Sequence, residues 1–343
     1  MATIMDVAKK VGVSKSTVSK ALNGNGRVSK KTQRAIIQAA QELNYRPNAL
    51  AQSLSLQSTN TIGLIIPKGY STSQYITRLI DIAYIFSRNA GKSLMITQMD
   101  GNDLHSGINA IRYLVDRCCE GILYYKNSHI DNVNIEKELS DVVRTLDIPL
   151  VMLNYQLSDF PQHSVFLDPV LAAKLAVDYL IHCGHRRIAY ISGGEVSRTS
   201  LLRQEGYRQA MEAANLEIEP AFIIVGDGHY KGGYDGGMRI VKNGLTVSAV
   251  ACFNDKTAVG LLHAFNKNGI SVPNEVSIIG FDNEDVIDFV SPPITSIALP
   301  ADNMVSYALT LLFGHMKLIP LPDCNEVFQG ELIVRESVKT IVL

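Results

Sequence analysis

Tryptophan is absent from this 343-residue chain, and cysteine is scarce: five residues, with no Cys-x-x-Cys pair. An odd, scattered set argues against a disulfide framework or a thiolate zinc site and leaves reduced thiols as the plain reading. No apolar run approaches the roughly 20 residues that span a bilayer. The opening "MATIMDVAKKVG" lacks both the apolar core and the cleavage site of a secretory signal. A cytoplasmic protein without a membrane partner is expected. Catalytic signatures are missing too: there is no Walker A sequence, no H-E-x-x-H and no G-x-S-x-G. The Gly-rich stretch "GDGHYKGGYDGG" breaks dinucleotide-binding spacing at Lys231. His185, in "CGHRRI", reads as a histidine in a helix-to-strand loop. No enzyme, no cofactor and no metal are expected.

Carboxylates are almost missing from one end. Residues 1–60 carry nine Lys and Arg against Asp6 and Glu42, a net +7, while the remainder carries 23 basic and 31 acidic residues, a net −8. A small basic segment joined to a large acidic one points to a nucleic-acid module fused to something else. On charge alone, a solvated basic face is an equal alternative.

Spacing sharpens the reading. "TIMDVAKKVGVSKSTVSKAL" predicts two short helices about a tight turn. Thr3 can cap the first, with Val7, Ala8 and Val11 inward. Gly12 stands where the chain reverses and a left-handed conformation is needed. Ser14 can cap the second helix, on which Val18, Ala21 and Leu22 face inward. Lys15, Ser16, Ser19, Lys20 and Asn23 are left outside: cations and short hydrogen-bonding groups, the surface that enters a DNA major groove. An ordinary αα-hairpin with a polar face is the plainer alternative. Ser29 can cap a third helix whose inner stripe is Ile36, Ile37, Ala40 and Leu43. The Arg46–Pro47 step ends it, and Asn48 can cap one more short helix, Ala49 to Leu54. Six residues and a cap rarely hold a helix alone in water, so this segment reads as a linker or as a helix formed only when paired.

"TIMDVAKKVGVSKSTVSKALNGNGRVSKKT", "ELNYRPNALAQSL" and "TIGLIIP" together resemble the LacI/GalR family of bacterial transcription regulators, and the resemblance runs the length of the chain. Regulators of sugar and aryl-β-glucoside operons are among the family members that it resembles. The resemblance implies a ligand-responsive repressor that binds a pseudo-palindromic operator in double-stranded DNA. Thr3, Thr17, Ser29, Thr32, Tyr45, Asn48, Ala51 and Leu54 then join the outward set as DNA-contacting positions, with Leu54 as an apolar wedge in the minor groove. The implied domains are a helix-turn-helix headpiece (1–47), a hinge helix and linker (48–60) and an effector-binding and dimerisation core (61–343).

From Thr61 onward, near-continuous apolar runs alternate with helical stretches, the pattern of parallel strands covered on both faces. "TIGLIIP", "SLMITQ", "EGILYYK", "IPLVMLN", "SVFLD", "RIAYISG", "AFIIVG", "SAVACFN" and "VSIIGFD" are nine such runs. They exceed one comfortable sheet, so the core is read as α/β, with two doubly wound parallel-sheet subdomains. The family's periplasmic-binding-protein-like fold implies the same. It puts the first subdomain near 61–162 plus 299–327 and the second near 163–298 plus 328–343. In such sheets ligands bind beyond the carboxyl ends of the strands. Asn154, Asn254 and Asp282 stand there, with Arg203 after another strand: acceptors and donors suited to sugar hydroxyls. Singly, Asn254 or Asp282 could be a turn residue, and Asp255 reads as a helix cap. By resemblance, Arg203, Asn254 and Asp282 match effector-contacting positions, and Tyr75 adds a contact from the first subdomain. The implied effector is a sugar or glycoside. Asn154 stands where relatives often have a carboxylate, and Gly228 where they often have an aromatic residue, so His229 or Tyr230 is the expected replacement surface. No leucine heptad follows "GELIVRESV", which favours a homodimer over a tetramer.

Overall fold

In the basic segment, Thr3 and Asp6 exchange hydrogen bonds as a capping box at the start of α1 (Ile4–Val11). Gly12 ends α1 at φ +72, where its amide bonds the Ala8 carbonyl at 2.9 Å. A side chain there would meet nothing, so the requirement for glycine is purely conformational. Ser14 accepts from the Thr17 amide at 3.1 Å to open α2 (Lys15–Leu22), and Ser29 does the same for Thr32 at α3 (Lys30–Glu42). Val7, Ala8, Val18, Ala21, Ile36, Ala39 and Ala40 are buried between the three helices. Ile37, expected in the inner stripe, is 41% exposed. One residue past Ile36, it is rotated about 100° off the inward face, and Ala39 takes the place beside Ala40.

The chain, as a computed structural model, is described over residues 2–22, 28–45, 59–68, 74–100, 104–126, 133–195, 197–322 and 328–341. It divides into two compact units, Met1–Asn60 and Thr61–Leu343.

The larger unit contains two sheets. The first, all parallel, takes strands in the order β2 (Ser93–Met99), β1 (Thr61–Pro67), β3 (Gly121–Tyr125), β4 (Leu150–Leu153) and β5 (Ser164–Val165). Helices α4 (Gln74–Asn89), α5 (Leu104–Asp116) and α6 (Val133–Thr145) connect them. The second has the order β11 (Glu331–Ile333), β10 (Thr295–Ala298), β9 (Ser277–Asp282), β8 (Ala249–Cys252), β6 (Ile188–Ile191) and β7 (Ile223–Ile224), with only β11 antiparallel. Its helices are α7 (Pro169–His182), α8 (Arg198–Ala213), α9 (Tyr230–Lys242) and α10 (Asp255–Lys267). The chain returns to the first sheet with α11 (Ala301–His315), which packs on α4, β3 and β4, and ends at β11 in the second.

Two expectations change here. The boundary at 162/163 falls too early, because β5 pairs in parallel with β4, Leu153 opposite Val165, and so belongs to the first sheet. Strands β10 and β11 also enlarge the second sheet beyond the runs read from the sequence. The Gly-rich stretch serves close packing: a Cβ at Gly233 would lie 2.0 Å from the Thr257 carbonyl oxygen, and one at Gly260 2.0 Å from that of Tyr230. Helices α9 and α10 thus touch backbone to backbone. Among the described residues, no helix is long and apolar enough to cross a membrane.

Candidate functional site

In an open parallel sheet, connections diverge where the strand order reverses, and a crevice opens beyond the strand ends. The reversals lie between β1 and β3 in one sheet and between β6 and β8 in the other. The strand ends around them line one cavity of about 820 Å³. Tyr75 and Tyr125, a tilted ring pair with centroids 5.4 Å apart, and Asn154 line it from the first sheet's side. Arg203, Phe253, Asn254 and Asp282 line it from the second's. Asn154 and Asp282 hold φ of +65 and +98 there, in the left-handed region that side chains rarely adopt.

Arg203, on α8, is only 7% exposed. Its Nη1 donates to the Phe253 carbonyl at 2.5 Å and its Nη2 to Asp282 Oδ1 at 3.1 Å, and its guanidinium lies 3.5 Å from the centroid of the Phe281 ring. Its Nε and the Tyr75 hydroxyl are buried, and neither has a hydrogen-bond partner among the described residues. A buried orphan donor costs about 1–3 kcal/mol, and both of these belong to residues that line the cavity. Burial, with the Asp282 charge adding, raises the Tyr75 hydroxyl above its ordinary pKa and keeps it a neutral donor. Asp282 is pushed upward by burial, with Arg203 opposing. Glu284, 3.4 Å from Lys256, is pushed the same way by burial.

Asn254 lines the cavity and also caps α10: its Oδ1 accepts from the Thr257 amide and hydroxyl at 2.9 and 2.8 Å, and its Nδ2 donates to the Gly228 carbonyl at 2.9 Å. The cap expected of Asp255 is therefore made by Asn254. Asp255 is fully buried behind it, accepting from the Ser296 hydroxyl and the Glu284 amide, each at 2.7 Å. His229 lines the cavity, whereas Tyr230 is exposed and does not; the aromatic ring against Gly228 is that of Phe253. Nothing in the sequence pairs Phe253 with Gly228, and no local pattern pairs Gln74 with Asp285 across 211 positions. Gln74 Nε2 donates to Asp285 Oδ2 at 2.6 Å and the Asp285 amide donates back at 3.2 Å, joining α4 to the loop after β9. Arg198 stands 5.3 Å over the Tyr155 ring in a second contact between the subdomains.

Burial, reinforced by the Asp282 charge, pushes the Asp255 carboxyl from 3.8 up to about 8. The folded chain therefore holds a proton there that the unfolded chain has released. The stability this supplies is full below about pH 4 and lost as pH rises through about 8. Asn copies the protonated acid: its oxygen keeps the Glu284 amide bond, and its NH2 turns the Ser296 hydroxyl from donor to acceptor. Urea unfolding at pH 5, 6, 7 and 8 is expected to show Asp255→Asn with a flatter pH profile than the wild type. The difference in slope should reach at most about 1.4 kcal/mol per pH unit, and parallel profiles would contradict it.

In the smaller unit, Lys15, Ser16 and Lys20 are exposed on one helix, α2, while Thr17 and Ser19 are half-buried. The Thr17 hydroxyl meets Ser14 Oγ at 2.8 Å. Thr3, Ser29 and Thr32 sit at helix N-termini, and Tyr45 packs on the small core. Lys10 is held by Glu42 at 2.6 Å. Asn23, Asn48, Ala51 and Leu54 lie outside the described residues. Among the described residues, no three metal-ligating side chains converge.

Residues 3–48 match the family described as bacterial regulatory proteins, lacI family, and residues 177–338 match the periplasmic binding protein-like domain. The HTH-type transcriptional regulator AscG of Escherichia coli (strain K12) is 32% identical over 343 residues, covering 98% of both chains. The chain belongs to the LacI family of bacterial transcriptional regulators. Like the family, it is a DNA-binding regulator and not an enzyme. Among solved structures, a sugar-binding LacI-family regulator from Escherichia coli, complexed with phosphate, superposes with a TM-score of 0.76 at 27% identity, covering 83% of this chain and 100% of its own. The lac repressor dimer bound to operator and the anti-inducer ONPF gives 0.86 at 22% identity, covering 98% and 99%, a likeness of fold.

Proposed function

We propose that the protein is a homodimeric repressor of a pseudo-palindromic operator, controlled by a sugar or glycoside held in the cavity between its subdomains. The observation that carries this reading is the pair of donor-bearing side chains, Tyr75 and Arg203, lining the cavity of a chain that opens with a DNA-binding head. Asp282 and Asn154 supply acceptors beside them, and a sugar hydroxyl both donates and accepts. The solved relatives of this fold include the transcriptional regulator CelR in complex with cellobiose. Lys15, Ser16 and Lys20 on α2 read the major groove. A two-fold protein axis requires a two-fold site, hence the pseudo-palindrome. Phe289, 88% exposed in the loop before β10, is the kind of apolar side chain that a partner subunit covers.

Two measurements test this. Sedimentation is expected to show a dimer for the wild type and a shift to monomer for Phe289→Asp, with operator affinity falling at least tenfold as the second head is lost. Thermal melting with a panel of sugars and glycosides is expected to reveal a ligand that raises stability by about 2.7 kcal/mol at one hundred times its Kd. A panel with no effect would overturn the carbohydrate reading, and a monomeric wild type the dimer.

A further inference from the structure

One side chain on the cavity wall has its space made for it by glycines. Phe253 follows β8, its amide bonded to the Ile191 carbonyl at 2.9 Å, and its ring is half-buried. A Cβ at Gly193 would stand 2.4, 2.5 and 2.6 Å from Cδ1, Cε1 and Cγ of that ring. Near-equal distances to three successive ring atoms mean that Gly193 backs a face of the ring and not its edge. A Cβ at Gly228, where φ is +75, would lie 3.2 Å from Cε1. Any other residue at Gly193 would displace the ring, and one at Gly228 would crowd it. The Arg203 guanidinium, 4.8 Å from the ring centroid, ties it to the polar end of the cavity through the Phe253 carbonyl. Phe253 is among the residues that line the cavity.

A partly buried phenyl ring is poorly used in a cavity that otherwise presents Asp282, Asn154 and Lys68, unless the ligand has an apolar face to set on it. A pyranose has one: its axial C–H groups carry partial positive charge, and an aromatic face is negative. We infer that Phe253, seated on Gly193 and Gly228, is the stacking platform of the second subdomain, fixing the orientation of a sugar ring whose hydroxyls reach Arg203 and Asp282. This rests on the carbohydrate reading above. Phe253 becomes a specificity-determining residue: sugars whose axial hydroxyls interrupt the C–H face are rejected at the ring, not at the polar cluster.

The test uses full-length protein. Glucose, galactose, cellobiose and phenyl β-D-glucopyranoside are screened by thermal shift. The member with the largest shift is titrated calorimetrically into wild type, Phe253→Ala, Phe253→Leu and Phe253→Tyr, each checked for a wild-type circular dichroism spectrum. Phe253→Ala is expected to bind at least about tenfold more weakly, equivalent to about 1.4 kcal/mol. Phe253→Leu should fall between, and Phe253→Tyr should stay within about threefold of wild type because the ring face is kept. Phe253→Ala binding within about twofold of wild type would overturn the platform and leave the carbohydrate reading standing. Equal losses for Ala and Tyr would also overturn it, since the ring would then not be what the ligand uses. No shift with any panel member would defeat the carbohydrate reading itself, and the platform with it.

Discussion

A chain beginning at Thr61 is expected to lose specific operator binding altogether, while keeping its fold and its affinity for sugar. The loss spans the whole gap between specific and non-specific affinity, about 10³-fold or more. The head and core separate as compact units between Asn60 and Thr61, so the cut passes through neither core. What remains carries a net −8 and is repelled by phosphates, whereas the discarded segment carries the +7 that attracts them. Gel-shift titration against salt checks both halves. Full-length protein should weaken with a slope of about −0.9 in log K per neutralised phosphate, and the shortened chain should show no complex at any salt. A shortened chain that still bound operator would place DNA recognition on the core.

Arg203→Leu is expected to have the largest effect within the cavity. Removing the guanidinium leaves Asp282 without its ion-pair partner and the Phe253 carbonyl without its donor. Breaking a buried pair costs about 3–5 kcal/mol, and protonation of Asp282 moves the loss toward the lower figure. Ligand affinity should fall at least about a hundredfold, because charged hydrogen bonds are worth about 1.5–3 kcal/mol each. Asp282→Asn retains an oxygen for Nη2, so it should lose far less stability than Arg203→Leu. Chemical denaturation and calorimetry on the two variants separate these terms. Equal stability losses would show that the Arg203–Asp282 charge pairing is not what holds this end of the cavity.

The head was legible because its signals are local. Thr3, Ser14 and Ser29 each precede a helix by one position, and Gly12 sits at a reversal that only positive φ allows. Ile37 turns outward because one position carries it about 100° past Ile36, while the smaller Ala39 and Ala40 share the inner stripe. Strand ends are equally readable, and Asn154, Asn254 and Asp282 reach one cavity with Arg203; Tyr75, implied by the resemblance alone, lines it too. The failures were non-local. β10 is half Thr and Ser, whose buried hydroxyls bond Arg335 and Asp255 from distant elements. β5 has two residues and is defined only by its partner β4. Phe253 sits over Gly193 and Gly228, contacts that no period or spacing announces.

A ligand in the cavity is expected to change the affinity of the head for DNA. Operator affinity measured by fluorescence anisotropy, with and without saturating sugar, in wild type and Asp282→Asn, tests it most directly. Coupling between two sites in one protein is typically 5- to 150-fold. Wild-type affinity is expected to change by a factor in that range, of either sign, and reciprocally the operator should change sugar affinity by the same factor. Asp282→Asn should bind operator normally yet need at least about ten times more sugar for the same response. Identical operator affinity with and without a sugar that demonstrably binds would contradict the account, because the cavity and the head would then be independent.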